Sequence, residues 1–176
     1  EFSRYRVEAT LRDGTPVVIR AIRPEDRSAL QEGIRLLSDQ TVYQRFFAPK
    51  PTLTDSELTY LTELDFRNHV GLLAENPALD GLTLIAVARM VRRPLSTGAP
   101  VDSAEVAFLV ADAYQSRGLG TLLMQHLVTI GRALGFQTLH GEVLPTNRRM
   151  LAVLAATGLP RRQHLEDGVL LVDLDL

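Results

Sequence analysis

The turn Gln115-Ser-Arg-Gly118-Leu-Gly120 constrains this chain more than any other stretch. It follows an apolar run, Val106 to Val110, and precedes apolar residues at 119, 122, 123, 127, 130 and 134. Those later spacings are helical, so the glycines sit where a strand hands over to a helix N-terminus. Backbone N–H groups there have no intrahelical partner, and the helix dipole adds positive potential. A diphosphate suits such a turn, and glycines at 118 and 120 keep side chains away from it.

Three phosphate-binding patterns compete. The nucleotidase loop needs Gly-Lys-Ser/Thr, but the single lysine is Lys50, far from the turn. A dinucleotide fingerprint needs a third glycine where Leu123 stands, and it opens a fold rather than arriving late in it. The third pattern is Gln/Arg-x-x-Gly-x-Gly/Ala, matched by Gln115, Gly118 and Gly120. With this turn the chain resembles the GNAT superfamily of acyl-CoA-dependent N-acyltransferases.

Composition narrows the options further. A length of 176 residues suits one domain with a sizeable core, residues 1–176. The chain starts Glu1-Phe2 without methionine, which reads as the edge of a longer polypeptide. No apolar run reaches the roughly 18–20 residues of a membrane span, and no signal-peptide pattern appears, so the default compartment is the cytoplasm. A net charge of −2 gives no electrostatic case for nucleic acid. Zero cysteines exclude disulfides, cysteine-ligated zinc and a cysteine nucleophile. A covalent acyl-enzyme would need another nucleophile, so direct transfer is favoured; His69, His126, His140 and His164 lack metal-ligand spacing, so no metal is expected.

Along the chain, β-prone runs at Arg4–Thr10 and Pro16–Ile22 flank the Asp13-Gly14 turn. Helices are expected from Pro24, from Ser38 as a cap to Phe47, and from Thr54, where Thr54 and Glu57 form a capping-box pattern. The Pro49-Lys50-Pro51 break separates the last two. Strands are expected at His69–Glu75, Leu82–Val91 and Ala104–Ala111, then the turn and its helix to Gly135. A strand at Phe136–Leu144, a helix beginning at Asn147, and strands at Arg161–Glu166 and Val169–Leu174 close the chain. The order β-β-α-α-α-β-β-β-α-β-α-β-β is the order of the GNAT fold. The resemblance therefore implies a mixed, mostly antiparallel α/β sheet with helices on both faces.

It also implies a site. Acetyl-CoA would be the cosubstrate, its pyrophosphate cradled by Ser116, Arg117, Gly118, Leu119, Gly120 and Thr121, with Gln115 and Arg117 alongside. The pantetheine arm would pair with the strand before the turn, Leu109 and Val110 nearest the thioester, and Asn147 would lie near the same arm. Freeing a lysine amine at pH 7 costs roughly 4–5 kcal/mol, so a base is needed. Glu105, in Ala104-Glu-Val-Ala-Phe108, resembles the catalytic glutamate of protein-lysine acetyltransferases. Glu142, two residues from His140 and so on the same strand face, is the second candidate. Asp65 and His69 are substrate-side candidates. Many members of the resembled family carry a tyrosine on the last helix as acid for the leaving thiolate; Leu151, Val153, Leu154 and Thr157 stand there instead.

Leu11-Arg-Asp-Gly-Thr-Pro16, Ile19-Arg-Ala-Ile-Arg-Pro-Glu-Asp26, the Ser38–Phe47 segment and Asp65-Phe-Arg-Asn-His69 resemble bacterial Pat-type protein-lysine acetyltransferases. That implies a protein acceptor with a reactive lysine, such as an acyl-CoA synthetase. A small-molecule amine acceptor and a non-catalytic acyl-CoA sensor are the alternatives.

Overall fold

Hairpin chemistry starts the fold. In the computed structural model, which describes residues 2–50, 52–81 and 84–176, Arg6–Thr10 (β1) and Pro16–Ala21 (β2) pair across the turn at Gly14, where φ is +86°. A short 3-10 turn at Pro24–Asp26 leads into α1, Arg27–Arg35. Arg20 grips Asp26 through two hydrogen bonds of 2.9 and 2.8 Å, both side chains buried, and this fixes the entry to α1. Burial alone would raise the Asp26 pKa, but hydrogen bonds from Arg20 and Arg23 outweigh it and hold it low.

The expected caps form. The Ser38 side chain accepts from Thr41 N–H to begin α2, Asp39–Phe46, and Thr54 with Glu57 makes a reciprocal capping box on α3, Asp55–Thr62. Next come β3 (His69–Glu75), β4 (Leu84–Arg92), β5 (Ser103–Val110), α4 (Leu119–Ala133), β6 (Thr138–Val143), α5 (Arg148–Ala155), β7 (Arg161–Glu166) and β8 (Val169–Asp175). Glu1, Pro51 and the expected strand start Leu82-Thr83 lie outside the described residues.

The strands form one eight-stranded sheet in the order β1-β2-β3-β4-β5-β6-β8-β7. Every neighbouring pair is antiparallel except β5 and β6. Helix α4 packs on one face through Leu119, Leu123, Leu127 and Ile130, each at most 1% exposed, and α5 adds Leu154. Each such burial contributes about 2 kcal/mol relative to exposure. On the other face α1 and α3 cover Leu73 and Val87 with Leu30, Ile34 and Leu58. Covered on both sides, β3 is buried along nearly its whole length, which is why it reads as an unbroken apolar run. No helix among the described residues is long and apolar enough to cross a membrane.

Candidate active site

The site exists because a strand pair stops short. Parallel pairing of β5 with β6 covers only Ser103–Thr138, Ala104–Leu139 and Glu105–His140. Beyond Glu105 the strands part, although β5 runs on to Val110 and β6 to Val143. The other edge of β5 stays zipped to β4 as far as the Val110–Ala86 pair. Ala111 N–H donates to Ile85 O at 2.8 Å and Arg93 N–H to Ser103 O at 3.0 Å, which fixes the alternation. Odd-numbered residues of β5 thus spend their backbone groups on β4, and the amides of Val106, Phe108 and Val110 face the gap. Leu109 reaches the gap by its side chain; its amide is turned to β4.

A cleft of about 550 Å³ fills this gap. It brings together Glu105, Leu109, Val110, Gln115, Ser116, Gly118, Leu119, Gly120, Thr121, Glu142 and Asn147. Arg117, expected alongside the phosphates, is not on the cleft wall. It is drawn instead to Asp13, 3.3 Å away, and its guanidinium lies over the Tyr114 ring.

The turn has the conformation an anion needs. Ser116 (φ +62°) and Gly118 (φ +84°) are both left-handed, a backbone shape that converges N–H groups. The first return bond of α4 is Leu122 N–H to Gly118 O, so the amides of Leu119, Gly120 and Thr121 precede the intrahelical ladder. The two glycines do different work. A side chain at Gly118 would meet nothing closer than Arg12 Nε, at 3.7 Å, so its role there is conformational. A Cβ at Gly120 would sit 3.0 Å from Val153, so this glycine lets α5 approach α4.

Gln115 is a brace. Its amide donates to Thr41 Oγ1, Val110 O and Asp112 Oδ1 at 3.0, 3.1 and 3.2 Å, and its Oε1 accepts from Arg149 at 2.6 Å. Asp112 also accepts from Ser38 N–H and Thr41 Oγ1, tying the start of α2 to the turn. Arg12 and Arg149 line the cleft, and sequence reading missed both. Arg149 had one signal: it stands in the first turn of a helix, where the dipole disfavours a cation. Arg12 had none. Asn147 caps α5, its side-chain oxygen accepting from Met150 N–H at 3.1 Å.

Glu105 sits at the apex, where β5 and β6 part. Ala104 and Val106 face α4, so Glu105 shares the opposite face with Leu109. Loss of solvent raises its pKa, and the charge of Glu142 raises it further; His140, Arg45 and Arg93 act the other way. His140 is 3% exposed, with Nδ1 2.8 Å from Asp173 Oδ1 and Nε2 3.7 Å from Glu142 Oε1. Asp65 holds a loop: its carboxylate accepts from the backbone amides of Arg67, Asn68 and His69. The His69 ring meets Arg89 at 3.2 Å, and burial, with the Arg89 charge, depresses its pKa to about 4. Arg89 is itself pushed down to about 9 by burial and by Arg45.

The sequence model of the acetyltransferase (GNAT) family matches residues 36–159, which include α2, the splayed strand, the turn and α5. The chain belongs to the GNAT acetyltransferase family. It is 32% identical over 171 residues to acetyltransferase Pat of Mycolicibacterium smegmatis, covering 97% of this chain and 49% of that protein. It thus spans about half the length of that relative. It is 27% identical over 159 residues to acetyltransferase PA5475 of Pseudomonas aeruginosa, covering 90% of this chain and 83% of the relative. The crystal structure of the GNAT domain of S. lividans PAT superposes with a TM-score of 0.87 at 36% identity over 97% of both chains. The mixed, mostly antiparallel sheet is thus a GNAT fold of Pat type.

Proposed function

We propose that this GNAT domain transfers the acetyl group of acetyl-CoA to the ε-amino group of a protein lysine, with Glu105 as general base. The position of Glu105 at the end of β5–β6 pairing carries this reading. The free amides of Val106, Phe108 and Val110 suit a pantetheine arm laid along β5, and one of them suits the thioester oxyanion. The left-handed turn, the open amides of Leu119, Gly120 and Thr121, and the nearby Arg12 and Arg149 suit the pyrophosphate.

Acid–base matching supports Glu105. An ordinary glutamate is a weak base for an ammonium, and burial beside Glu142 shifts it in the useful direction. The lysine acceptor rests on the Pat-type likeness. The chain offers no tyrosine on α5 to protonate the thiolate, which needs little help if its pKa lies near ~8.5, as for a cysteine thiol.

Labelled acetyl-CoA, incubated with a panel of acyl-CoA synthetases and small amines, tests the reading. Labelling of one synthetase lysine, lost in Glu105→Gln while acetyl-CoA still binds, is expected. Labelling confined to small amines makes the protein-lysine assignment wrong. Binding without transfer to any acceptor makes the domain a sensor.

A further inference from the structure

Arg89 on β4 is a buried cation without an anion. It is 5% exposed and shares the α1 and α3 face of the sheet with Val87. Its register neighbours there are small, Gly71 on β3 and Ala107 on β5. Its Nη1 donates to His69 Nε2 at 3.2 Å, and that ring, with its pKa depressed to about 4, is neutral at pH 7. The ring thus supplies an acceptor and no countercharge. Arg45 on α2 stands near enough for its charge to add to burial in pushing Arg89 down to about 9. The charge of Glu105 is felt at Arg45 without an ion-pair contact. Among the described residues neither guanidinium has a carboxylate in ion-pair contact, whereas the buried Arg20 has both Asp26 and Glu75. Two like charges taken out of water together call for an anion.

Both arginines line a cavity of about 50 Å³ whose other walls include Leu30, Ile34, Leu53 and Leu61. On a scale where one water needs about 10–15 Å³, it admits a group of a few heavy atoms. It adjoins the cleft, since Arg45, Phe46, Ala107 and Leu109 border both. We propose that this cavity is the acyl end of the donor site, where Arg45 and Arg89 take the distal carboxylate of a dicarboxylic acyl-CoA such as succinyl-CoA. The inference rests on the reading of the cleft as an acyl-CoA site. A donor arm paired with the inner edge of β5 brings its acyl group beside Ala107, which offers no more than a methyl at that register position. From the thioester carbon to the distal carboxylate carbon of a succinyl group is three bonds, roughly 4 Å, against a strand spacing of about 4.8 Å. An acetyl group stops short of the arginines, and a butyryl group meets them with a methyl. The depth of Arg89 favours the donor over the acceptor as the source of the carboxylate. A side chain flanking a lysine on a protein surface would have to enter behind the reacting centre, whereas the acyl group is carried there. In the transfer the lysine nitrogen bonds the thioester carbon, and the C–S bond breaks with its electron pair on sulfur. The ammonium gives up two protons, one to Glu105 and one to the departing thiolate, and the distal carboxylate is unchanged.

Isothermal titration of the full chain with succinyl-CoA and butyryl-CoA, whose four-carbon acyl groups differ in the distal carboxylate, tests the site without any acceptor. Succinyl-CoA should bind at least about tenfold tighter. Arg45→Met and Arg89→Met should each bring that ratio to within about twofold of unity. Taken within one protein, the ratio is unaffected by a general loss of affinity. Equal affinities in the wild type, or a preference that survives either substitution, overturn the proposal. If Arg89→Met does not fold, Arg45→Met on the cleft wall decides. A second arm uses acetyl-CoA and acceptor peptides with glutamate or glutamine beside the lysine, which should react alike. A glutamate preference lost in Arg45→Met, with no preference for succinyl-CoA, assigns the arginines to the acceptor and overturns the donor subsite. Failure of the parent reading looks different. If no acyl-CoA binds, the cleft is not a donor site; if acetyl-CoA binds and succinyl-CoA has no advantage over butyryl-CoA, only the subsite fails. A succinyl preference without labelling of any lysine upholds the subsite and removes the lysine acceptor.

Discussion

Glu105 and His140 form the last cross-strand pair before β5 and β6 separate, so the candidate base stands where the sheet opens. Its charge environment gives a signed expectation. With Glu105 as the proposed base, kcat/KM should rise with pH along a limb that it sets, above the ordinary glutamate range. Glu142→Gln removes a negative neighbour and should move that limb to lower pH. Arg45→Met removes a positive one and should move it higher. Glu105→Gln should abolish the limb and lower kcat by about 10²-fold or more. A pH–rate series on the four proteins checks this; shifts of the same sign in both neighbour variants overturn it.

Gly118 is left-handed at φ +84°, and a side chain there is strained whatever the space. Gly118→Ala should cost about 1 kcal/mol of stability. Because the same conformation aims the turn's amides, acetyl-CoA affinity should fall about tenfold, read by isothermal titration. Unaltered affinity would mean that the turn does not hold the cofactor.

Gly120 makes a different demand. A Cβ there lies 3.0 Å from Val153, so Gly120→Ala should overpack the contact between α4 and α5. Combined with Val153→Ala, the loss should be smaller than the sum of the singles by at least about 0.5 kcal/mol. Urea unfolding of the two singles and the double measures that coupling. Strict additivity removes the packing role.

His69 links stability to pH. Its folded pKa is about 4, against ~6.5 in the unfolded chain. Between those values the unfolded chain holds a proton that the folded one refuses. Stability is therefore complete above about pH 6.5 and falls as pH drops toward 4, by up to roughly 3 kcal/mol. His69→Gln should flatten that decline in urea midpoints taken from pH 7 to pH 4.5. An equally steep decline in the variant assigns it to other groups, such as Asp26.

Local chemistry was legible in the sequence. Ser38, Thr54 and Glu57 cap their helices because capping needs only residues a few positions apart. The β3 run and the turn before α4 were readable for the same reason. Distant pairing was not. Nothing near Glu105 states that β5–β6 pairing ends there, since the gap depends on a strand more than thirty residues later. Arg117 was placed on the phosphates by proximity, and Asp13 across the hairpin drew it away. The purpose of Gly120 depends on Val153, and the partner of His140 is Asp173 rather than Glu142 alone.

The splay of β5 has an evolutionary consequence. Its inner edge offers main-chain amides, which almost any residue supplies, whereas the apex is lined by side chains from separate elements, Arg45, Glu105 and Glu142. Along β5, pairing with the donor's arm is thereby insulated from most point mutations, Gly118 in the turn being the exception, while the acceptor side is free to drift. A domain built this way can change what it acylates without relearning how to hold its donor.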